Sequence, residues 1–209
     1  MRYGDVLPSS FMIPTSAFWL RNDLEKHNPF EHLELPRSAT VMDCGAYIGT
    51  FAIACVEQGA AYVTCYEAAP KNAAMLRQNC SRYQQIGVIE AALVASNDST
   101  VSLNLSGFSG ANSILPQTRR MKFIEVSAVN FRRSLLTLRP SVLKLDVEGA
   151  EYDLLASLCP GDLRSVRSLF IEFHPIANRE QRIADVRRYL EESGLTVVSA
   201  RKRAFTASR

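Results

Sequence analysis

The sequence lacks the cysteine pattern, the leader and the long apolar run of an exported or membrane-spanning protein. Its 209 residues contain five cysteines, an odd number, and none forms a C-x-x-C pair. This argues against a disulfide framework or a zinc site. The N-terminus has no basic segment followed by an apolar one, and no apolar run approaches the roughly 20 residues that span a bilayer. We therefore predict a reduced, cytoplasmic protein without a membrane span.

A strong excess of one charge is also missing. The formal net charge is +3, which is too small by itself to indicate nucleic-acid binding. Short basic clusters occur, but no basic stripe has aromatic residues interleaved, so we interpret these clusters as solvated faces. The hydrophobic fraction of 47% is ordinary for a globular chain, and the length is most simply that of one domain.

Strand-like and helix-like segments alternate along most of the chain. We expect residues 1–38, which four prolines punctuate, to form an N-terminal cap or a substrate-side segment, and residues 39–209 to form one α/β domain. The predicted strands are 41–42, 62–66, 87–95, 101–105, 123–129, 142–145, 168–173 and a hairpin of 195–199 with 204–206. The predicted helices are 16–27, 48–58, 70–79, 131–138, 150–158 and 178–193. This alternation predicts a mostly parallel sheet with helices on both faces.

The most informative segment is DCGAYIG at residues 43–49, which follows a short strand. Gly45 lets the backbone approach a ligand closely, and Gly49 lets the next helix pack tightly on the strand. Glu67 follows roughly twenty residues later, at the end of the next strand, where it can accept hydrogen bonds from two ribose hydroxyls. The segment therefore predicts a nucleoside site.

The order of residues in this segment differs from the dinucleotide fingerprint G-x-G-x-x-G, whose glycines admit a pyrophosphate. Asp43 stands ahead of the first glycine, and its carboxylate would repel a pyrophosphate and attract an ammonium group. A nucleoside joined to an amino acid without phosphates is S-adenosylmethionine. The alternative interpretation is a buried βαβ unit that binds no ligand.

A second acidic segment follows the predicted strand at 142–145. That strand delivers Asp146 to its carboxyl end, the edge where ligands bind in open α/β sheets. Glu148 and Glu151 come next, and three carboxylates so close together are costly without a cationic or protonated group nearby. One interpretation places Asp146 beside the sulfonium of the cofactor and Glu148 at the acceptor. The other assigns Glu148 and Glu151 to a first helical turn, where they favour the macrodipole.

A third candidate lies at the end of the strand predicted over 168–173. Alternation along the strand puts Glu172 and His174 on one face. His174 could act as a base or orient an acceptor. A histidine before a proline is also an ordinary loop residue, and both interpretations stay open.

Together these segments resemble the FkbM-type methyltransferases. The match covers residues 40 to 175 and rests, in chain order, on DCGAYIG, YEAAP with Asn72 and Asn79, KLDVEGAE and IEFH. The resemblance implies a class I methyltransferase Rossmann-like fold: a mostly parallel seven-stranded sheet with helices on both faces and an antiparallel last strand. It also implies S-adenosyl-L-methionine as methyl donor and a hydroxyl of a sugar or secondary metabolite as acceptor.

The resemblance further implies which residues bind the cofactor. The methionine half would be lined by Asp43, Gly45, Ala46 and Gly49. The ribose would be bound by Glu67, and the adenine would lie beside Ala68 and the Ala91-Ala92 region. A loop around Asn112 and Ser113 would close over the cofactor, and Asp146 would face the reacting centre. Tyr47 departs from the Asn that the family often has there and could alter the turn.

Methyl transfer from a sulfonium needs chiefly orientation, but a hydroxyl acceptor needs a base to remove its proton. We assign the catalytic role to Asp146 and Glu148, with His174 third. Hard cations prefer oxygen ligands, so a divalent metal could bridge these carboxylates, although the sequence requires none.

Two alternatives remain at this point. One is a non-catalytic S-adenosylmethionine-binding protein of the same fold. The other is an RNA ribose 2′-O-methyltransferase, suggested by the basic clusters and by Lys144, Asp146 and Glu148. We rank methylation of RNA below methylation of a small-molecule or glycan acceptor. The position of the basic residues at 119–122 and 132–133 relative to the site would discriminate between these two functions.

Overall fold

The computed structural model describes residues 7, 8, 10–13, 30, 33–105, 112–114, 122–174, 179–200 and 204–209. The helix predicted at 16–27 and most of the loop before residue 112 lie outside the described residues. The same holds for residues 119–121 and for Asn178, the expected N-cap of the last helix.

The described chain forms ten strands, five α-helices and one 3₁₀ helix. The strands are β1 Thr40–Cys44, β2 Tyr62–Glu67, β3 Ile86–Glu90, β4 Ala92–Val94, β5 Thr100–Leu105, β6 Lys122–Asn130, β7 Val142–Leu145, β8 Ser168–Glu172, β9 Thr196–Ala200 and β10 Ala204–Ser208. The helices are α1 Thr50–Glu57, α2 Pro70–Asn79, α3 Phe131–Leu138, α4 Glu151–Ala156 and α5 Arg179–Glu192, with the 3₁₀ helix at Asp162–Ser165.

Local sequence signals explain where the helices begin and end. Pro70 occupies the first turn of α2, where its missing N–H costs no hydrogen bond. The side chain of Asn130 caps α3 by accepting a hydrogen bond from the N–H of Arg133. Gly59 follows the end of α1 with φ of +96°, a conformation that glycine adopts without strain.

Seven strands form one sheet in the order β3-β2-β1-β7-β8-β10-β9. The pairs β1–β2, β2–β3, β1–β7 and β7–β8 are parallel, and β10 is antiparallel to both β8 and β9. This confirms the predicted fold class, with an antiparallel last strand. Because β1 lies between β2 and β7, the strand order reverses there, and ligands bind at such a point in open α/β sheets.

The strand predicted over 87–95 is in fact two strands in different sheets. β3 belongs to the large sheet, whereas β4 pairs in parallel with β6, and β6 pairs in antiparallel fashion with β5. The chain turns at Ala91, whose N–H donates to the carbonyl of Ile89. A continuous run of β-forming residues carries no sign of this turn, because both strands have the same period of two.

The core lies on both faces of the large sheet. All four residues of β7 are buried, as expected for a parallel strand covered by helices. Phe51 and Ile53 of α1 pack in the core cluster on one side, and Phe131 and Leu135 of α3 belong to the other. Among the described residues, no helix is both long and apolar enough to cross a membrane.

The five cysteines are free. Four are buried, and burial raises the pKa of the thiols of Cys44, Cys55 and Cys65 well above its ordinary value. These thiols therefore pack as small apolar groups rather than act as nucleophiles. Cys159 is exposed.

Candidate functional site

The turn between β1 and α1 is held against two neighbouring strands. The N–H groups of Gly45 and Ala46 both donate to the carbonyl of Tyr66 at 3.0 Å, and the N–H of Asp146 donates to the carbonyl of Cys44 at 3.0 Å. Gly45 has φ of +81°, and a Cβ there would collide with the carbonyl oxygen of Asp146. The close backbone approach at Gly45 is thus to the end of β7.

Gly49 has a different packing partner from the one predicted. Its φ is +96°, and a Cβ on it would lie 2.7 Å from Leu76 Cδ1 and 2.8 Å from Cys80 Sγ. The glycine therefore permits contact with α2 and the residue that follows it, rather than with the strand. Sequence could not reveal this, because the packing of α2 against the start of α1 is a tertiary contact. Tyr47 also has a positive φ, +52°, where Asn is more easily accommodated.

Glu67 connects the turn to the start of α2. Its Oε2 accepts a hydrogen bond from the N–H of Tyr47 at 2.9 Å, and its Oε1 accepts from the N–H of Ala69 at 2.9 Å and from Asn72 Nδ2 at 3.2 Å. Burial raises the pKa of Glu67 to about 7, although these hydrogen bonds and Lys144 lower it. A carboxylate offers about four acceptor positions, so Glu67 retains capacity for a further donor.

Lys144 is a buried residue whose partners the sequence did not identify. Its Nζ lies 3.4 Å from Asp43 Oδ1 and 3.1 Å from Asp146 Oδ2, and it donates to the carbonyl of Gly45 at 3.0 Å. Asp43 is fully buried, and burial raises its pKa although Lys144 lowers it. A lysine inside the apolar run VLKL was the available signal, because a buried ammonium group needs anionic partners.

Three carboxylates lie close to the imidazole of His174, beyond the ends of β7 and β8. Its Nδ1 lies 2.9 Å from Glu151 Oε1, and its Nε2 lies 3.2 Å from Glu148 Oε2 and 4.0 Å from Asp146 Oδ1. This supplies the cationic or protonatable group that the acidic segment requires. Asp146, Glu148 and His174 can each offer one ligand atom to a metal, and these atoms lie within 4.8 Å of one another.

Glu151 is buried and does more than begin a helix. Its Oε1 accepts hydrogen bonds from the N–H groups of Val147 and Gly149, at 2.9 and 3.1 Å, besides its contact with His174. It thus fixes both the turn after β7 and the imidazole at the end of β8. The sequence could not decide between this role and a surface position in the first helical turn.

The charges within this cluster are strongly coupled. Burial lowers the pKa of His174, but the hydrogen bond that it donates to Glu151 and the charges of Glu151, Glu148 and Asp146 outweigh this effect and raise the pKa to about 9. Burial raises the pKa of Glu148 to about 7, with His174 lowering it and the neighbouring carboxylates raising it further. Without a bound ligand, His174 is therefore protonated at neutral pH.

Ser113 connects the chain after β5 to the acidic turn. Its hydroxyl donates to the carbonyl of Glu148 at 2.6 Å, and its backbone pairs with Asn104. Glu148 has φ of +56°, so this hydrogen bond helps hold an uncommon backbone conformation. Asn112, the other residue predicted here, directly precedes Ser113 and is half-buried.

The remaining predicted cofactor residues lie beside the two sheets. Ala92 is buried in an apolar cluster with Ala69, Leu103 and Val126, and Ala68 packs against the same cluster. Ala46 is buried in the core on the α1 side. The structure thus brings Ala68 and Ala92 together at the junction of the large and the small sheet.

Comparison with known proteins agrees with this architecture. The family model described as the methyltransferase FkbM domain matches residues 43–196, which is most of the chain. No curated protein sequence matches significantly.

Among solved structures, a precorrin-6y C5,15-methyltransferase from Geobacter metallireducens is similar, with TM-score 0.50, 11% identity, and coverage of 97% of this chain and 92% of that one. Fibrillarin from Aeropyrum pernix, solved with natively bound S-adenosyl-L-methionine, has TM-score 0.50, 13% identity, and coverage of 83% and 67%. At such identities the likeness shows the fold alone. The family match spans the glycine turn, the acidic segment and His174, and by it this chain belongs to the FkbM methyltransferase domain family.

Proposed function

We propose that this protein transfers the methyl group of S-adenosylmethionine to a hydroxyl oxygen of a sugar or secondary metabolite. Family membership and the methyltransferase fold support a methyltransferase that uses this donor. The proposal depends chiefly on one observation: the residues expected to bind the donor and those expected to bind the acceptor lie at the same edge of the sheet. Because β1, β2, β7 and β8 are parallel neighbours, the glycine turn and Glu67 end at the same edge as Asp146 and His174.

The donor would bind at the glycine turn. Glu67, already ordered by three hydrogen bonds, would accept the ribose hydroxyls with its remaining acceptor positions. Asp43 would act indirectly, because its carboxylate is fully buried and pairs with Lys144. Lys144 in turn holds the carbonyl of Gly45 and the carboxylate of Asp146, so we assign Asp43 a positioning role at the methionine half of the cofactor.

The acceptor would bind at the acidic cluster. The side chains of Asp146 and Glu148 are 27% and 26% exposed, so an entering hydroxyl can reach them. Either carboxylate could accept the hydroxyl proton as the oxygen attacks the methyl carbon of the sulfonium. His174 is 20% exposed and contacts Glu151 through Nδ1 and Glu148 through Nε2, so it would orient the carboxylates rather than remove the proton itself.

The test is donor binding followed by product detection with the purified full chain. Calorimetry should show saturable binding of S-adenosylmethionine and S-adenosylhomocysteine, and no binding of a pyridine dinucleotide. A donor labelled in its methyl group should then label a hydroxyl compound in a screen of sugars and small metabolites. Dinucleotide binding without donor binding would overturn the proposal.

The same assay separates the two alternatives. Label transferred to RNA, with binding that weakens steeply as salt rises, would indicate an RNA methyltransferase. Arg132, one of the basic residues that suggested this, pairs with Asp162 at 2.6 Å, which leaves less of its charge for phosphate. Donor binding with no labelled product from RNA or any hydroxyl compound would indicate a non-catalytic binding protein.

A further inference from the structure

We propose that Asp146, Glu148 and His174 form a binding site for one divalent cation, of the Mn²⁺ or Mg²⁺ type. These residues come from the ends of two neighbouring strands, β7 and β8. His174 Nε2 lies 3.2 Å from Glu148 Oε2 and 4.0 Å from Asp146 Oδ1. Ligand atoms about 2.1 Å from one ion lie about 3 Å apart at a right angle and about 4.2 Å apart across it. Both spacings from His174 Nε2 fall within this range.

Glu151 gives an independent indication of a bound cation. It is fully buried and holds His174 Nδ1 at 2.9 Å. A carboxylate can only accept, so Nδ1 carries a proton and Nε2 is directed at the other two carboxylates. This is the arrangement by which an outer carboxylate orients a metal-binding histidine. Moreover, Glu151 Oε2 has no hydrogen-bond partner in the described part of the chain, and a dication bound to His174 would offset that buried charge.

Asp146 is oriented so that one oxygen remains for the ion. Its Oδ2 pairs with Lys144 Nζ at 3.1 Å, whereas Oδ1 is the atom that approaches His174. Lys144 would repel a cation, but the buried carboxylate of Asp43 beside it offsets its charge. Within the described structure, Lys144 contacts the carboxylates of Asp43 and Asp146, whereas those of Glu148 and Glu151 contact His174. A dication bound to His174 Nε2 would lie beside the carboxylates of Glu148 and Asp146.

The role of the ion, unlike its binding, rests on the proposed methyl transfer to oxygen. Three protein ligands leave positions open on an octahedral ion. Two of these could take neighbouring oxygens of the acceptor, so we infer an acceptor with two vicinal oxygens. The ion would favour loss of the hydroxyl proton to the second oxygen of the Glu148 carboxylate. The hydroxyl oxygen would then form a bond to the methyl carbon as the bond from carbon to sulfur breaks, leaving S-adenosylhomocysteine.

The test uses Mn²⁺ alone and needs neither donor nor acceptor. The full chain, stripped with a chelator, is titrated with Mn²⁺ while free ion is followed by electron paramagnetic resonance. We expect one saturable site per chain, and at least a tenfold weaker affinity in Glu148→Gln and in His174→Ala. Asp153→Asn is the matched control, since Asp153 is a nearby exposed carboxylate that pairs with Arg182 outside the cluster. It should bind as the wild type does.

Two outcomes would overturn the site. One is the absence of saturable Mn²⁺ binding to the wild type, and the other is binding by both cluster variants that equals that of Asp153→Asn. If the variants fail to fold, pulsed resonance on the Mn²⁺-loaded wild type decides instead. Coupling to an imidazole nitrogen is expected, and its absence would count against His174 as a ligand. Calorimetry with S-adenosylmethionine, run with and without Mn²⁺, keeps the two proposals distinct, because donor binding can persist when the metal site fails.

Discussion

Lys144 lies directly beside Asp43 on the neighbouring parallel strand, with Nζ 3.4 Å from Oδ1, although the two residues are 101 positions apart in the chain. The pair joins the glycine turn to the acidic segment, because Lys144 also holds the carbonyl of Gly45 and the carboxylate of Asp146. The two halves of the proposed site therefore share one buried cation.

Replacing this cation should destabilise the fold. Lys144→Met keeps much of the side-chain length but leaves the Asp43 carboxylate buried without its partner, which should cost about 3–5 kcal/mol in the free energy of unfolding. Adding Asp43→Asn to this variant removes the charge and should recover part of the loss. Urea denaturation measures both. Exposed ion pairs contribute at most about 1 kcal/mol. If the free energy of unfolding of Lys144→Met lay within about 1 kcal/mol of that of the wild type, a structural role for the pair would be contradicted.

Two glycines with similar backbone conformations should respond differently to alanine. Gly45 and Gly59 have φ of +81° and +96°, but a Cβ at Gly45 would collide with the Asp146 carbonyl, whereas a Cβ at Gly59 meets no described atom within 4 Å. Gly59→Ala should cost only the backbone strain, about 1–2 kcal/mol. Gly45→Ala should cost more and should also abolish donor binding. Equal melting temperatures for the two variants would contradict the close approach at Gly45.

Donor affinity should depend on pH through Glu67. Its pKa is about 7 when the protein is free of ligand, and ribose hydroxyls bind better to the ionised form. The affinity for S-adenosylmethionine should therefore fall as the pH drops from 8 to 6, by at most about tenfold per pH unit below the pKa. Calorimetry across this range checks the prediction. In Glu67→Gln binding should be weak and its pH dependence flat, and an unchanged slope in this variant would assign the effect to another group.

The free energy of unfolding should also depend on pH through Glu67, but in the opposite direction to the donor affinity. The pKa of Glu67 rises from 4.5 to about 7 on folding, so the folded protein holds this proton more tightly than the unfolded chain. Stability from this source is present at low pH and is lost as the pH rises through that window, by on the order of 3 kcal/mol. The difference in unfolding free energy between wild type and Glu67→Gln, measured by urea at several pH values, isolates the effect. A difference that does not vary with pH would contradict it.

The acidic cluster should matter for turnover more than for donor binding. Asp146→Asn and Glu148→Gln should each lower turnover by about 10²–10⁴-fold, the usual contribution of a general base. The affinity for S-adenosylmethionine should change far less, since both carboxylates serve the acceptor in our proposal. Asp153→Asn again serves as the control. Turnover retained in both cluster variants would remove their proposed roles.

Much of the fold was predictable because it depends on local patterns. The bounds predicted for α2, α3 and β7 coincide with those observed, since proline, the Asn130 cap and an apolar run mark their ends. The division of residues 87–95 into β3 and β4 was not predicted, because both strands are made of the same kinds of residue. Which strand each one joins depends on distant segments of the chain.

The segments that form the candidate site could be located from the sequence, but the contacts between them could not. The sequence by itself determined the glycine turn, the acidic segment and a histidine at a strand end, since strand and turn patterns place each of them at one edge of a parallel sheet. Only the tertiary structure decided that Lys144 neutralises Asp43, and that Glu151 is buried beneath His174. These pairs form because β7 lies between β1 and β8, and that order is set by how the whole sheet packs.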